Sequence, residues 1–206
     1  MPVKIFVSKM GDLCKKLGRY DSAQVHYLGS LATCEKMGDG ERVATALINM
    51  GEISIEQGRH KKALEYYTQL VALYKKLGNH LNHETWILYQ MAEICMGQGE
   101  TDAAFDYYTK SLAGCEEEGY APGAALCLAG MARISESLEK SDDALGYYTR
   151  ALTKYEMVTD NQRRVMASNI TVTLNKFGEL LSNRGQGEQA LEFHIRALAT
   201  KLGRSD

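Results

Sequence analysis

Small and apolar residues recur along this chain at a long, nearly fixed period, and inside each period the apolar positions follow helical spacing. The clearest copies are Ala63-Leu64-Glu65-Tyr66-Tyr67-Thr68, Ala104-Phe105-Asp106-Tyr107-Tyr108-Thr109 and Ala144-Leu145-Gly146-Tyr147-Tyr148-Thr149. Fainter copies begin at Ala23 and Ala190. Twelve residues before each alanine stands a small residue: Gly11, Gly51, Ala92, Ala132 and Gly178, in steps of 40, 41, 40 and 46. Leu47, Met50, Gly51 and Ser54 make one apolar helical face. Ala63, Tyr67, Leu70 and Val71 make a second, at i, i+4, i+7 and i+8. Seven residues after the small residue comes Gly18, Gly58, Gly99 or Gly185, with Glu139 in the fourth copy. A glycine there ends a helix, because the left-handed conformation that follows the last turn costs glycine least.

Each period therefore predicts two helices and a short turn. The ten helices fall at roughly 3–17, 20–37, 41–57, 60–77, 81–97, 101–118, 123–138, 141–157, 161–184 and 187–201. The six extra residues before Gly178 lengthen the first helix of the last period. The small residue and the alanine twelve residues on predict a close helix crossing in every copy. Tyr67, Tyr108 and Tyr148 are core by the same logic.

This pattern resembles the tetratricopeptide repeat family. The matching features are the small residue, the Gly-x-aromatic turn of Gly18-Arg19-Tyr20, the Ala and Tyr of the second helix, and the pairs Ser30-Leu31, Ser111-Leu112, Ala151-Leu152 and Ala197-Leu198. The period is about 40 rather than the about 34 of the usual repeat. The proline that normally closes the second helix is replaced by Glu35, Lys75, Glu116 and Glu156. The chain is thus similar to the elongated repeats of kinesin light chains, rapsyn and the spindle-orientation adaptors. The resemblance implies an all-α, right-handed superhelical solenoid of about five helix-turn-helix repeats, at about 3–39, 41–79, 81–120, 123–160 and 161–202, in a single domain over 1–206.

Composition narrows the function. The 206 residues carry a net charge of −2 and are 45% hydrophobic, which fits a folded protein and argues against broad nucleic-acid binding. The start of the chain has no apolar core of the secretory kind, and no apolar run approaches the ~20 residues that span a bilayer. The five cysteines form no C-x-x-C pair, so the expected setting is reducing and cytoplasmic, with no membrane partner.

Candidate chemistry is thin. Gly185-Gln186-Gly187-Glu188-Gln189-Ala190 matches a dinucleotide-binding spacing, but it follows a helix instead of a strand and reads as a repeat turn. His83-Glu84 begins a zinc motif, yet Ile87 stands where the second histidine belongs, and nothing completes a set with His80. Cys14 and Cys95 share a repeat position that Ser54 and Ser135 also fill, which reads as a contact wanting a small residue. No catalytic, metal or cofactor-binding residue is assigned, and the chain is expected to be non-catalytic.

A binding function would sit on the first helices, which line the concave groove in the family. Carrying its groove positions over places Asn49, Glu52 and Glu56 in the second repeat. It places Trp86, Tyr89, Gln90 and Glu93 in the third, Arg133 in the fourth, and Asn175 and Glu179 in the fifth. Asp12, Glu52, Glu93 and Glu179 stand where the family's carboxylate clamps use asparagine, so a clamp for a C-terminal carboxylate is absent. The expected role is a scaffold or adaptor that holds a protein or peptide ligand with basic and apolar residues. The alternative is a regulatory or sensor module of a larger signalling protein. Trp86 suits both a groove anchor and a core position between repeats. No polar capping helix is recognised at either end, so self-association through uncapped ends, or membership in a longer protein, is expected.

Overall fold

The computed structural model describes residues 2–78 and 81–203, with side chains over 9–78 and 83–203. Among them are ten helices: α1 (Pro2–Lys16), α2 (Tyr20–Lys36), α3 (Gly40–Glu56), α4 (His60–Leu77), α5 (Leu81–Gly97), α6 (Thr101–Glu117), α7 (Ala121–Ser137), α8 (Ser141–Glu156), α9 (Asp160–Asn183) and α10 (Gly187–Lys201). The fold is the all-α helix-turn-helix repeat expected. Helix ends agree with the sequence reading to within two residues. The largest difference is α7, which begins at Ala121 because Pro122 is accepted in the first turn, where no amide donor is needed. The extra residues do extend α9, to 24.

The chain divides into two compact units, Met1–Ile87 and Leu88–Asp206. In the first, α1 packs on α2, α2 on α3 and α3 on α4. Its core joins Ala23 and Tyr27 of α2 to Met50 and Ile53 of α3. In the second, α7 packs against α6, α8 and α9, and α9 also against α8 and α10. There Leu152 and Tyr155 of α8 meet Met166, Ile170 and Leu174 of α9.

The close helix crossing is real, but its closest partner differs from the expectation. A Cβ on Gly11 would stand 2.7 Å from Tyr27 Cε1, and one on Gly51 would stand 2.9 Å from Tyr67 Cζ. The nearest neighbour is thus the aromatic ring sixteen residues on, because the ring spans the gap that a methyl group leaves open. The alanine twelve residues on shares the cluster at Ala132, Ala144 and Tyr148. At Gly178 both appear, with His194 Cε1 at 2.9 Å and the Ala190 carbonyl at 3.2 Å. Tyr27, Tyr67, Tyr108 and Tyr148 are all buried.

Candidate functional site

Burying a tyrosine in each of the first four repeats leaves its hydroxyl to be satisfied, and the first helices supply carboxylates for three of them. Tyr27 donates to Asp12 Oδ1 at 2.5 Å. Tyr108 donates to Glu93 Oε1, and Tyr148 to Glu136 Oε2 at 2.6 Å. Asp12 and Glu93 follow the small residue directly. Arg133 takes that place in the fourth repeat, so Tyr148 turns to Glu136 one helical turn later. Burial, reinforced by these carboxylates, pushes the Tyr27, Tyr108 and Tyr148 hydroxyls well above the usual tyrosine range.

In the first unit, Lys15 of α1 reaches across to α3. It forms an ion pair with Glu52 and donates to Asn49 Oδ1 at 3.3 Å. Glu56, one turn beyond Glu52, is exposed. The Tyr67 hydroxyl is buried and has no hydrogen-bond partner. The Tyr67 ring meets Trp86 edge-on, with ring centroids 6.1 Å apart. Trp86 is partly exposed rather than core, so the ring shields Tyr67 on one side and faces solvent on the other. His83 stacks on Tyr74 at 5.1 Å, whereas His80 lies outside the described residues.

In the second unit, Tyr89, Gln90 and Glu93 come from α5 and Arg133 from α7. Arg133 grips Glu93 with both guanidinium arms, Nη1 to Oε1 at 3.2 Å and Nη2 to Oε2 at 3.5 Å. Burial alone would lower the Arg133 pKa, but Glu93 and Tyr108 outweigh it and the pKa rises. The Tyr89 ring lies 5.9 Å from that of Tyr108. Beside this cluster is a half-open cleft of about 110 Å³ between α7 and α9, with Tyr89, Leu126, Ala129, Arg133, Asn169 and Val172 among its walls. Asn175 and Glu179 stand further along α9. Asn175 is hydrogen-bonded to His194 at 3.1 Å, and Glu179 is paired with Lys176 at 2.7 Å.

The structure therefore brings Asn49 and Glu52 together through Lys15, and Tyr89, Glu93 and Arg133 around one cleft. It leaves Glu56 apart from the first group and Glu179 apart from the second. Sequence reasoning missed the cleft's Tyr148, Tyr155, Ser168, Asn169 and Thr173. Ser168, Asn169 and Thr173 fall within the ordinary length of a first helix, ahead of Gly178, and no recurring residue marked them. Cys115 and Cys127 are buried, Cys127 donates to Ser111 Oγ at 3.2 Å, and hydrogen bonding to Cys115 and burial raise the Cys127 pKa.

Comparison with known proteins agrees with this architecture. Models described as "Tetratricopeptide repeat" match residues 5–76 and 84–157, and residues 171–201. No curated protein matches. Among solved structures, BtubC (BKLC) from P. vanneervenii superposes with a TM-score of 0.81 at 18% identity, covering 96% of this chain and 79% of that one. A P. anserina kinesin light chain with nearly identical TPR-like repeats gives 0.68 at 13% identity, over 95% and 93%. A Rap conjugation gene regulator of plasmid pLS20, in complex with the Phr* peptide, gives 0.68 at 16% identity, over 97% of this chain and 54% of that one. The family models span most of the chain, and the structures share its fold: the chain belongs to the tetratricopeptide repeat family and is a protein-interaction module.

Proposed function

We propose that the chain is a non-catalytic, cytoplasmic adaptor that holds a partner peptide or helix on its first helices, with the cleft between α7 and α9 as the principal anchor site. One observation carries this reading. The cleft combines an apolar wall of Leu126, Ala129 and Val172 with Tyr89 and an arginine already fixed by a carboxylate. A pre-organised apolar socket with a few placed polar groups is how binding sites gain affinity without ordering costs. Glu93, Glu136 and Glu179 outnumber Arg133 and Lys176 on the neighbouring stretches of these helices, which favours a basic residue beside an apolar anchor. In the first unit, Asn49, Glu52, Glu56 and Trp86 supply a further contact surface, and Gln90, Asn175 and Glu179 in the second extend the polar rim. A peptide-responsive regulatory module within a larger protein is the second reading. It is favoured by the likeness to a Rap regulator whose structure holds a peptide.

Selection from a random peptide display library tests the proposal. The expected result is enrichment of sequences with Lys or Arg next to an aliphatic or aromatic residue. Val172→Asp should abolish their binding, because it puts a charge on an exposed cleft wall without touching the core. Tyr89→Ala should weaken binding by about 1–2 kcal/mol, while Glu65→Ala and Lys110→Ala, on second helices, should leave it unchanged. Full binding by Val172→Asp, or loss on the second-helix changes, would move the site elsewhere.

A further inference from the structure

The contact that joins one repeat to the next has two complementary halves, and the structure shows one exposed half on α1 and the other on α10. In the first unit, Met50 and Ile53, at the positions just before and two after the small residue of α3, are each 1% exposed and packed on Ala23 and Tyr27 of α2. Their counterparts on α1 are Met10 and Leu13, at 46% and 58%. Leu17 continues the same exposed side.

The receiving half shows the same contrast. Eight residues after the repeat alanine stand Leu112 and Leu152, at 6% and 8% exposure, and Leu152 is buried under Met166, Ile170 and Leu174 of α9. Their counterpart on α10 is Leu198, which is 58% exposed, with Leu191 exposed two turns earlier. Met10, Leu13 and Leu198 thus sit in solvent at register positions that are buried elsewhere in the chain.

Charge follows the same register. Two residues before the repeat alanine, Asp21 takes Arg59 Nη2 at 3.7 Å and Gln57 Nε2 at 3.1 Å from the next repeat. Asp142, its counterpart in the fourth repeat, is paired with Arg184. On α10 that position is Glu188, and in the turn between α1 and α2 the counterpart of Arg59 is Arg19; both are exposed.

We infer that the occupant of each face is a second copy of this chain: the face of one copy that carries Met10, Leu13 and Leu17 docks on the α10 face of another that carries Leu191 and Leu198, with Arg19 set against Glu188. The contact sets a first-helix face against a second-helix face, as the internal joints do, and repeats their charge pairing. It is heterologous, because a face meets its complement rather than itself. Every addition therefore leaves one free face of each kind, and assembly continues past the dimer.

Sedimentation of the full chain over a concentration series tests this. The weight-average mass of the wild type should climb past twice that of the monomer. Leu13→Glu and Leu198→Glu should each remain monomeric with unchanged helicity, since both leucines are on the surface. Mixed in equal amounts, the two variants should stop at a heterodimer, because each keeps the one face the other lacks. Leu17→Glu and Leu191→Glu provide a second pair should either first variant lose helicity. A wild type that stays monomeric up to its solubility limit would overturn the inference. So would a dimer formed by either variant alone, or a mixture that stays monomeric.

Discussion

The tyrosine shared by α2, α4, α6 and α8 sets the residue-scale design, because its ring needs a hole and its hydroxyl needs an acceptor. The hole is the missing side chain of Gly11 or Gly51 on the facing first helix. The acceptor is Asp12, Glu93 or Glu136. Gly51→Ala should therefore overpack a contact that has no slack, since Tyr67 is wholly buried. The expected cost is about 1–3 kcal/mol in a urea unfolding experiment. Gly29→Ala is the matched control: its Cβ would meet nothing within 4 Å, so the usual helix preference for alanine should raise stability by about 0.5–1 kcal/mol. Equal behaviour of the two variants would remove the ring-in-hole account. The same design explains why the acids of the candidate site were only half legible. Their positions recur in the sequence, but their engagement by Lys15, Arg133 and Tyr108 depends on where long side chains end. A residue pattern fixes which face a carboxylate is on, not which cation from a neighbouring helix reaches it.

At the scale of elements, the helix limits were legible because their punctuation is local. A small set of backbone conformations ends each helix, and the left-handed residue is marked by glycine in four of the five first-helix ends. The fourth repeat is the exception: Glu139 adopts φ 58° there, a conformation that an L side chain holds only under steric strain. Glu139→Gly should relieve it. The expected gain is about 0.5–1 kcal/mol, what remains of the left-handed penalty after glycine's greater freedom in the unfolded chain is counted. A thermal midpoint that does not rise would show that neighbouring contacts, not the backbone, hold Glu139. Register was legible for the same reason, since a ~40-residue period repeats the whole helix pair. Two features were not: Trp86 turns its edge to Tyr67 and its other side outward, and the cleft beside Arg133 forms where the longer α9 passes α7. Both depend on how neighbouring helices cross, which periodicity along one helix does not encode.

At the scale of the whole molecule, repeated architecture means that one physical property is copied into each unit. In repeat proteins, stability is close to a sum of repeat and nearest-neighbour contributions, so whatever perturbs the shared tyrosine perturbs both units. The first unit contains Tyr27 and Tyr67, and the second contains Tyr108, Tyr148 and Tyr155. Burial is the leading cause in all five, and each hydroxyl titrates above its ordinary value. For Tyr155, burial is the leading cause and the nearby Cys127 adds to it, and the hydroxyl moves from 10.0 up to about 12. A raised pKa means that the folded state favours the protonated phenol. The stabilisation is fully present below pH 10, where the unfolded tyrosines are also protonated. It is lost as pH rises from 10 toward about 12 and beyond, because the unfolded chain ionises first and draws the equilibrium to itself. Urea midpoints should therefore stay level on approaching pH 10 and fall steeply above it, with the phenolate absorbance of the buried tyrosines appearing together with loss of helicity. Replacing Tyr155 with Phe should flatten the early part of that fall without removing it, since four other buried hydroxyls remain. Complete phenolate absorbance, from all twelve tyrosines, reached near pH 10 while the helices stay intact would show that these five rings are open to solvent, and the packing described for both units would not stand.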